Sequence, residues 1–173
     1  MEIPGIETTT GPLGQGLGNA LGMAVSEKIV RSRVGEENFN HYTYVIAGDG
    51  CLMEGISHEV ASLAGHLSLS NLIVLYDDNE ISIDGPTSLT MSDKTLDRFL
   101  SYGWHTEQVD GHDLDAINLA IDKAIYQSSN DYISKMINTI HPITEDKFCF
   151  RGPNFIPKTI MKTLTKRNNS NSH

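Results

Sequence analysis

Residues 42–55 read YTYVIAGDGCLMEG, and the change of character halfway along this stretch decides the fold. Tyr42 to Ala47 is apolar and rich in β-branched and aromatic side chains, the composition of a strand. Gly48-Asp49-Gly50 then interrupts it. From about Glu54 to Gly65 the pattern is helical, because Ile56, Val60, Leu63 and Leu67 recur at spacings of three and four. Residues 71–76, NLIVLY, form a second apolar run of strand length, nearly unbroken, as in a strand covered on both faces. Strand, crossover helix and strand together predict a parallel sheet.

Working outward, Leu13 to Arg33 suits a helix whose front half is glycine-rich. Downstream of residue 76 come a loop with Gly85 and Pro86, a helix near Asp93–Leu100 and a short strand at His105–Val109. Asp113 is placed to cap a helix whose apolar face is Leu114, Ile117, Ile121 and Ala124. Tyr132 to Asn138 reads as a last strand. The expected fold class is α/β, a doubly wound parallel sheet flanked by helices over residues 1–140. Residues 141–173 form a divergent tail that composition marks as partly disordered.

The carboxyl ends of parallel strands are where doubly wound sheets bind ligands. Gly48 and Gly50 would let a bulky anion approach the backbone, and the helix that follows offers free N–H groups to phosphate. Asp49 would repel that phosphate unless a divalent cation lay between them, which points to Mg²⁺ or Ca²⁺ and oxygen ligands. The plainer reading is a tight turn with Asp49 capping the next helix. The second strand bears on the choice, since it ends YDDNEISIDG, residues 76–85. Adjacent strands lie about 4.8 Å apart, so Asp77, Asp78 or Asn79 could share a cation with Asp49. A neutral Asn79 oxygen suits an ion already neutralised by a diphosphate; Asp77 and Asp78 as ligands would make a more anionic site needing no phosphate.

The glycines of residues 8–24, TTTGPLGQGLGNALGMA, do not make a dinucleotide fingerprint, because the required third glycine is Asn19 in one register and Leu21 in the other. Gly14, Gly18 and Gly22 instead fall four apart on one helical stripe, where another backbone could pack close. Gly11, Pro12 and Leu13 precede that helix in a loop and are better placed to touch a ligand.

Composition limits the partners. The formal net charge is −9, and the four basic residues after position 157 (Lys158, Lys162, Lys166, Arg167) leave nine bases against 22 acids before it. A body that acidic is expected to bind neither nucleic acid nor an anionic membrane. No apolar run approaches the roughly 18 residues of a membrane span. Cys51 and Cys149 show no paired spacing, and a cytoplasmic location with reduced thiols is expected.

Together the stretches PGIETTTGPLGQG, YTYVIAGDGCLMEGISHEVASLAGHL, NLIVLYDDNEISIDG and YGWHTEQVDGHD resemble the transketolases, in their thiamine diphosphate-binding domain. The resemblance implies that Asp49, Asn79 and the main-chain oxygen of Ile81 hold a divalent cation, Mg²⁺ or Ca²⁺, against the cofactor diphosphate. It implies that Gly48, Gly50 and Asn79 lie at the phosphates and that Gly11, Pro12 and Leu13 line the pyrimidine side. Glu54 and Glu59 resemble the acidic residues of a proton-sharing network at the family's subunit interface. The implied activity is transfer of a two-carbon ketol unit from a ketose phosphate to an aldose phosphate.

The family's upstream histidines, its histidine-rich loop after residue 140 and its pyrimidine-binding domain have no counterpart in this sequence. The isolated chain is therefore expected to be inactive, and to act only with a pyrimidine-binding domain on another chain. A non-catalytic remnant that binds cofactor weakly, or binds only a partner chain, is the alternative. With those partners missing, the chain is expected to be homo-oligomeric or sticky.

Overall fold

The computed structural model describes residues 5–128 and 134–140. Among these, six strands and five α-helices follow in order. Helix α1 is Gln15–Val34, strand β1 is Thr43–Gly48, and helices α2 and α3 are Asp49–Met53 and Gly55–His66. Strand β2 is Leu72–Asp78, and the short strands β3 and β4, Ile81–Ser82 and Gly85–Pro86, pair as a hairpin. Helix α4 (Thr95–Ser101), strand β5 (His105–Asp110), helix α5 (Leu114–Ser128) and strand β6 (Lys135–Ile140) complete the unit.

The main sheet runs β1-β2-β6-β5, and each of its pairings is parallel. Its chemistry is set by β2. Leu72, Val74 and Tyr76 point to one face, where they join Leu17, Ala20 and Ala24 of α1 and Val60, Ala61 and Ala64 of α3. Ile73 and Leu75 point to the other, against Ile117, Ile121 and Ala124 of α5. A strand buried on both faces needs an apolar residue at every position, which is why this run does not alternate. Burying each such side chain contributes about 1.5–3 kcal/mol. The helices fall on opposite faces because the chain crosses the sheet from β1 through β2 to β5 and then turns back to β6, and crossovers are right-handed in both directions.

Polar ties fix the layers. The Lys28 ammonium donates to the Leu67 carbonyl at 2.6 Å, at the carboxyl end of α3 where unpaired carbonyls favour a cation. The Trp104 indole N–H donates to the Ala61 carbonyl at 2.8 Å. Asp113 caps α5 as expected, its Oδ1 accepting from the backbone N–H groups of Asp115 and Ala116.

The helix expected from about Glu54 to Gly65 is present as α3, with Glu54 in extended backbone (φ −69°, ψ 141°) as its N-cap; the short helix α2 between β1 and Glu54 is an addition to the expected elements. One expectation needs correction. The last strand is displaced toward the carboxyl terminus, to Lys135–Ile140. Tyr132, Ile133 and the tail 141–173 lie outside the described residues.

Candidate functional site

Parallel pairing brings the ends of β1 and β2 level, with Gly48 opposite Asp77. The two turns beyond those ends therefore meet. Asp49 opens α2 and is 3% exposed. Its carboxylate caps nothing in its own helix: the N-cap is Gly48, which makes no side-chain cap bond. Instead Oδ1 accepts from the Tyr76 hydroxyl at 2.5 Å, and Oδ2 accepts from the backbone N–H groups of Asn79 and Glu80, each at 3.1 Å. The capping alternative fails on this geometry. Aspartate is held across the strands.

The turn after β2 is shaped to do this. Glu80 has φ 58°, the left-handed region, which costs a residue with a Cβ roughly 1–2 kcal/mol. Two consecutive N–H groups converge there on one oxygen. The Asn79 amide is fixed in turn: its Oδ1 accepts from the Ile81 N–H at 3.2 Å and its Nδ2 donates to Asp77 Oδ2 at 3.4 Å. Burial raises the Asp49 carboxyl above its ordinary range and the Asp78 charge adds to this, while the Tyr76 hydroxyl and the two backbone donors oppose it. Burial first, and the facing carboxylate second, hold the Tyr76 phenol protonated far above its usual value.

This donor set fits a hard divalent cation. A buried carboxylate with Asp77 and Asp78 beside it creates a negative site, and the groups on offer are oxygens. Among the described residues no cluster of three or more His, Cys, Asp or Glu is arranged to hold a metal. An ion here would thus draw on Asp49, the Asn79 amide and backbone carbonyls, and would need further oxygens from a bound phosphate or water.

The remaining expected residues divide. Gly11, Pro12 and Leu13 are exposed and lie just ahead of α1. Leu13 adjoins the glycine turn, since a Cβ on Gly50 would lie 3.3 Å from its Cδ1. Glu54 sits at the break between α2 and α3, and Glu59 on the outer side of α3. Neither side chain takes part in the bonds that hold Asp49. Sequence reasoning passed over Tyr76 and Arg98. The signal for the first was a lone phenol ending an aliphatic run, since a buried tyrosine hydroxyl requires a partner. Arg98 donates to the Leu52 carbonyl at 3.0 Å and pairs with Asp93, steadying the end of α2.

A sequence profile described as "Transketolase, thiamine diphosphate binding domain" matches residues 1–141. The transketolase of Buchnera aphidicola (subsp. Acyrthosiphon pisum) is 58% identical over 127 residues, which is 71% of this chain and 19% of that protein. Among solved structures, transketolase from Leishmania mexicana superposes with a TM-score of 0.72 at 42% identity, covering 79% of this chain and 21% of that one. A Pichia stipitis transketolase in complex with sedoheptulose-7-phosphate gives 0.74 at 33% identity, with coverage of 97% and 29%. The chain spans about a fifth of the length of the curated relatives it matches.

Proposed function

This chain belongs to the transketolase family, by its thiamine diphosphate-binding domain, and from that premise we propose that it forms the diphosphate half of a cofactor site closed by a divalent cation. One observation carries the reading: a buried carboxylate beyond the end of β1, Asp49, bonded to the backbone of Asn79 and Glu80 beyond the end of β2. Asp49, the Asn79 amide and the Ile81 main-chain oxygen would hold Mg²⁺, or Ca²⁺ in its place. Gly48 and Gly50 leave room for the diphosphate, and Gly11, Pro12 and Leu13 would line the pyrimidine side.

When bound, thiamine diphosphate supplies the nucleophilic carbon on which a two-carbon ketol unit travels between sugar phosphates. This chain's residues bind and orient; Glu54 and Glu59 lie away from the Asp49 cluster, where a second subunit could draw them into a proton network. Ketol transfer of the pentose phosphate pathway, in the cytoplasm, is then the activity of an assembly in which this domain meets a pyrimidine-binding domain. The solved relative that carries sedoheptulose-7-phosphate supports sugar phosphates as the substrate class.

Titration calorimetry tests this reading. Thiamine diphosphate should bind with Mg²⁺ present and not in EDTA, and Asp49→Asn should abolish the Mg²⁺-dependent binding. Equal affinity in the two conditions, or an Asp49→Asn variant that binds like the parent, would reduce the Gly48-Asp49-Gly50 segment to a turn. Mixed with a ketose phosphate and an aldose phosphate, the chain alone should show no turnover.

A further inference from the structure

We infer that the open edge of β1 is a pairing surface for a second copy of this chain, the two β1 strands running antiparallel across a twofold axis so that the two sheets join. β1 is an end strand of the order β1-β2-β6-β5, and among the described residues no strand pairs with its outer side. The two ends of the sheet differ in chemistry. β5, at the other end, reads HTEQVD and carries His105, Glu107 and Asp110, with Lys123 of α5 reaching Glu107 at 2.7 Å. Charges of this kind keep an edge from pairing with another chain. β1 reads TYVIAG, with no charge and no proline, and its six residues pair with β2 in unbroken register, so no bulge turns the edge away. An uncharged, regular edge is a template for another strand.

The register follows from the backbone. The Thr43 N–H donates to the Asn71 carbonyl, on the β2 side. Successive residues of a strand present their backbone groups to alternate sides, so Ile46 turns its N–H and C=O outward. A twofold axis perpendicular to the sheet then sets Ile46 opposite Ile46 of the second copy, and the two exchange both bonds reciprocally. Ile46 is also the β1 side chain that the fold leaves bare: Thr43, Val45 and Ala47 are buried, whereas Ile46 is 41% exposed. Facing its own copy at about 5.5 Å between Cα atoms, it is covered by an identical side chain. On the other face of the sheet, the flank of α1 opposite Lys28 carries Met23, Ser26 and Val30, which with Phe39 wall an open groove of about 590 Å³ beside the start of β1. The same axis lays the second α1 against this flank. One symmetry operation thus covers strand edge and groove together, whereas an isolated extended peptide would cover the edge alone.

Sedimentation velocity on the purified chain should show a dimer, and Ile46→Lys should raise its dissociation constant by about tenfold or more, since like charges then face each other where apolar surface was covered. Ile46→Cys, oxidised with diamide, should give a disulfide-linked dimer, because Cα atoms so spaced lie within reach of a disulfide. Leu119→Cys, at an exposed position on α5, should cross-link no more than the parent, whose Cys51 and Cys149 set the background. A parent chain that stays monomeric at high concentration overturns the inference. So does an Ile46→Lys dimer as tight as the parent's, which would move self-association to another surface, and so does equal cross-linking at positions 46 and 119. If Ile46→Lys does not fold by circular dichroism, the cross-linking decides alone. None of these readouts involves cofactor or metal, so their failure leaves the functional reading standing.

Discussion

A methyl group on Gly14 would lie 2.7 Å from Cγ2 of Ile56. Gly14 is the residue before α1, in left-handed backbone at φ 79°, and it is where α1 meets the start of α3. The same added atom would sit 3.0 Å from both Glu54 Cβ and Ser57 Oγ. Backbone conformation and space both require glycine. Gly14→Ala should therefore cost about 2–4 kcal/mol, combining left-handed strain with overpacking. Gly22, on the same stripe, has no atom within 4 Å of an added Cβ. Gly22→Ala should stabilise the helix by up to about 1 kcal/mol. Urea midpoints for the two variants check this, and a similar loss in both would mean that the stripe acts as one surface.

Glu27 gives a pH dependence of definite sign. It is 2% exposed within α1, paired with Arg31 at 3.2 Å, yet burial outweighs that pairing and raises its carboxyl above the ordinary value of 4.5. The folded state then holds the proton more tightly than the unfolded chain. Its contribution is fully present below the unfolded pKa and is lost as pH rises through the folded one. Glu27→Gln lacks this term. Relative to the parent, the variant should gain stability from pH 4 to pH 8, as read from denaturation midpoints. A difference that is constant across that range, or that shrinks, contradicts the assignment.

The loops around the carboxyl edge of the sheet expose apolar side chains: Leu13 is 50% exposed, Leu89 74% and Ile83 86%. Such surface marks contact sites or association when left uncovered. The purified chain should self-associate as its concentration rises and bind a dye specific for apolar surface. Sedimentation velocity showing a monodisperse monomer at high concentration, with no dye signal, would contradict this.

The sequence made the parallel β1–β2 pair and the meeting of Asp49 with the turn at Asn79 readable, because an unbroken apolar strand and a glycine-flanked acid are local signals. The Asp113 cap was equally local. The start of α3 was readable to within a residue of Glu54, its N-cap, but helix α2 was not, since five residues are too few to show a period. Tyr76 gave no sign of its partner, which lies beyond the end of another strand. The contact that demands glycine at position 65 was also hidden: an added Cβ would fall 1.9 Å from the Tyr102 carbonyl oxygen, an approach set by how α3 and the end of α4 stack. The regular spacing of Gly14, Gly18 and Gly22 suggested one role where the packing around them gives unlike surroundings, because spacing cannot report what lies opposite.

The insertion of β6 between β2 and β5 governs the order in which this unit can assemble. Ile73 pairs with Lys135 on one side, and His105 pairs with the same residue on the other. Until that strand leaves the ribosome, β5 has no neighbour in the sheet and the cluster around Ile117 and Ile121 lacks Ile137, part of its floor. The early group of helices and strands from α1 to β2 can collapse by itself, while β5 and α5 wait on β6. Closing so distant a pairing is slow in comparison with local contacts. Between the emergence of β2 and that of β6 a nascent chain of this sequence therefore exposes the edge of β2, and it is in that interval that chaperones or a second chain would find it.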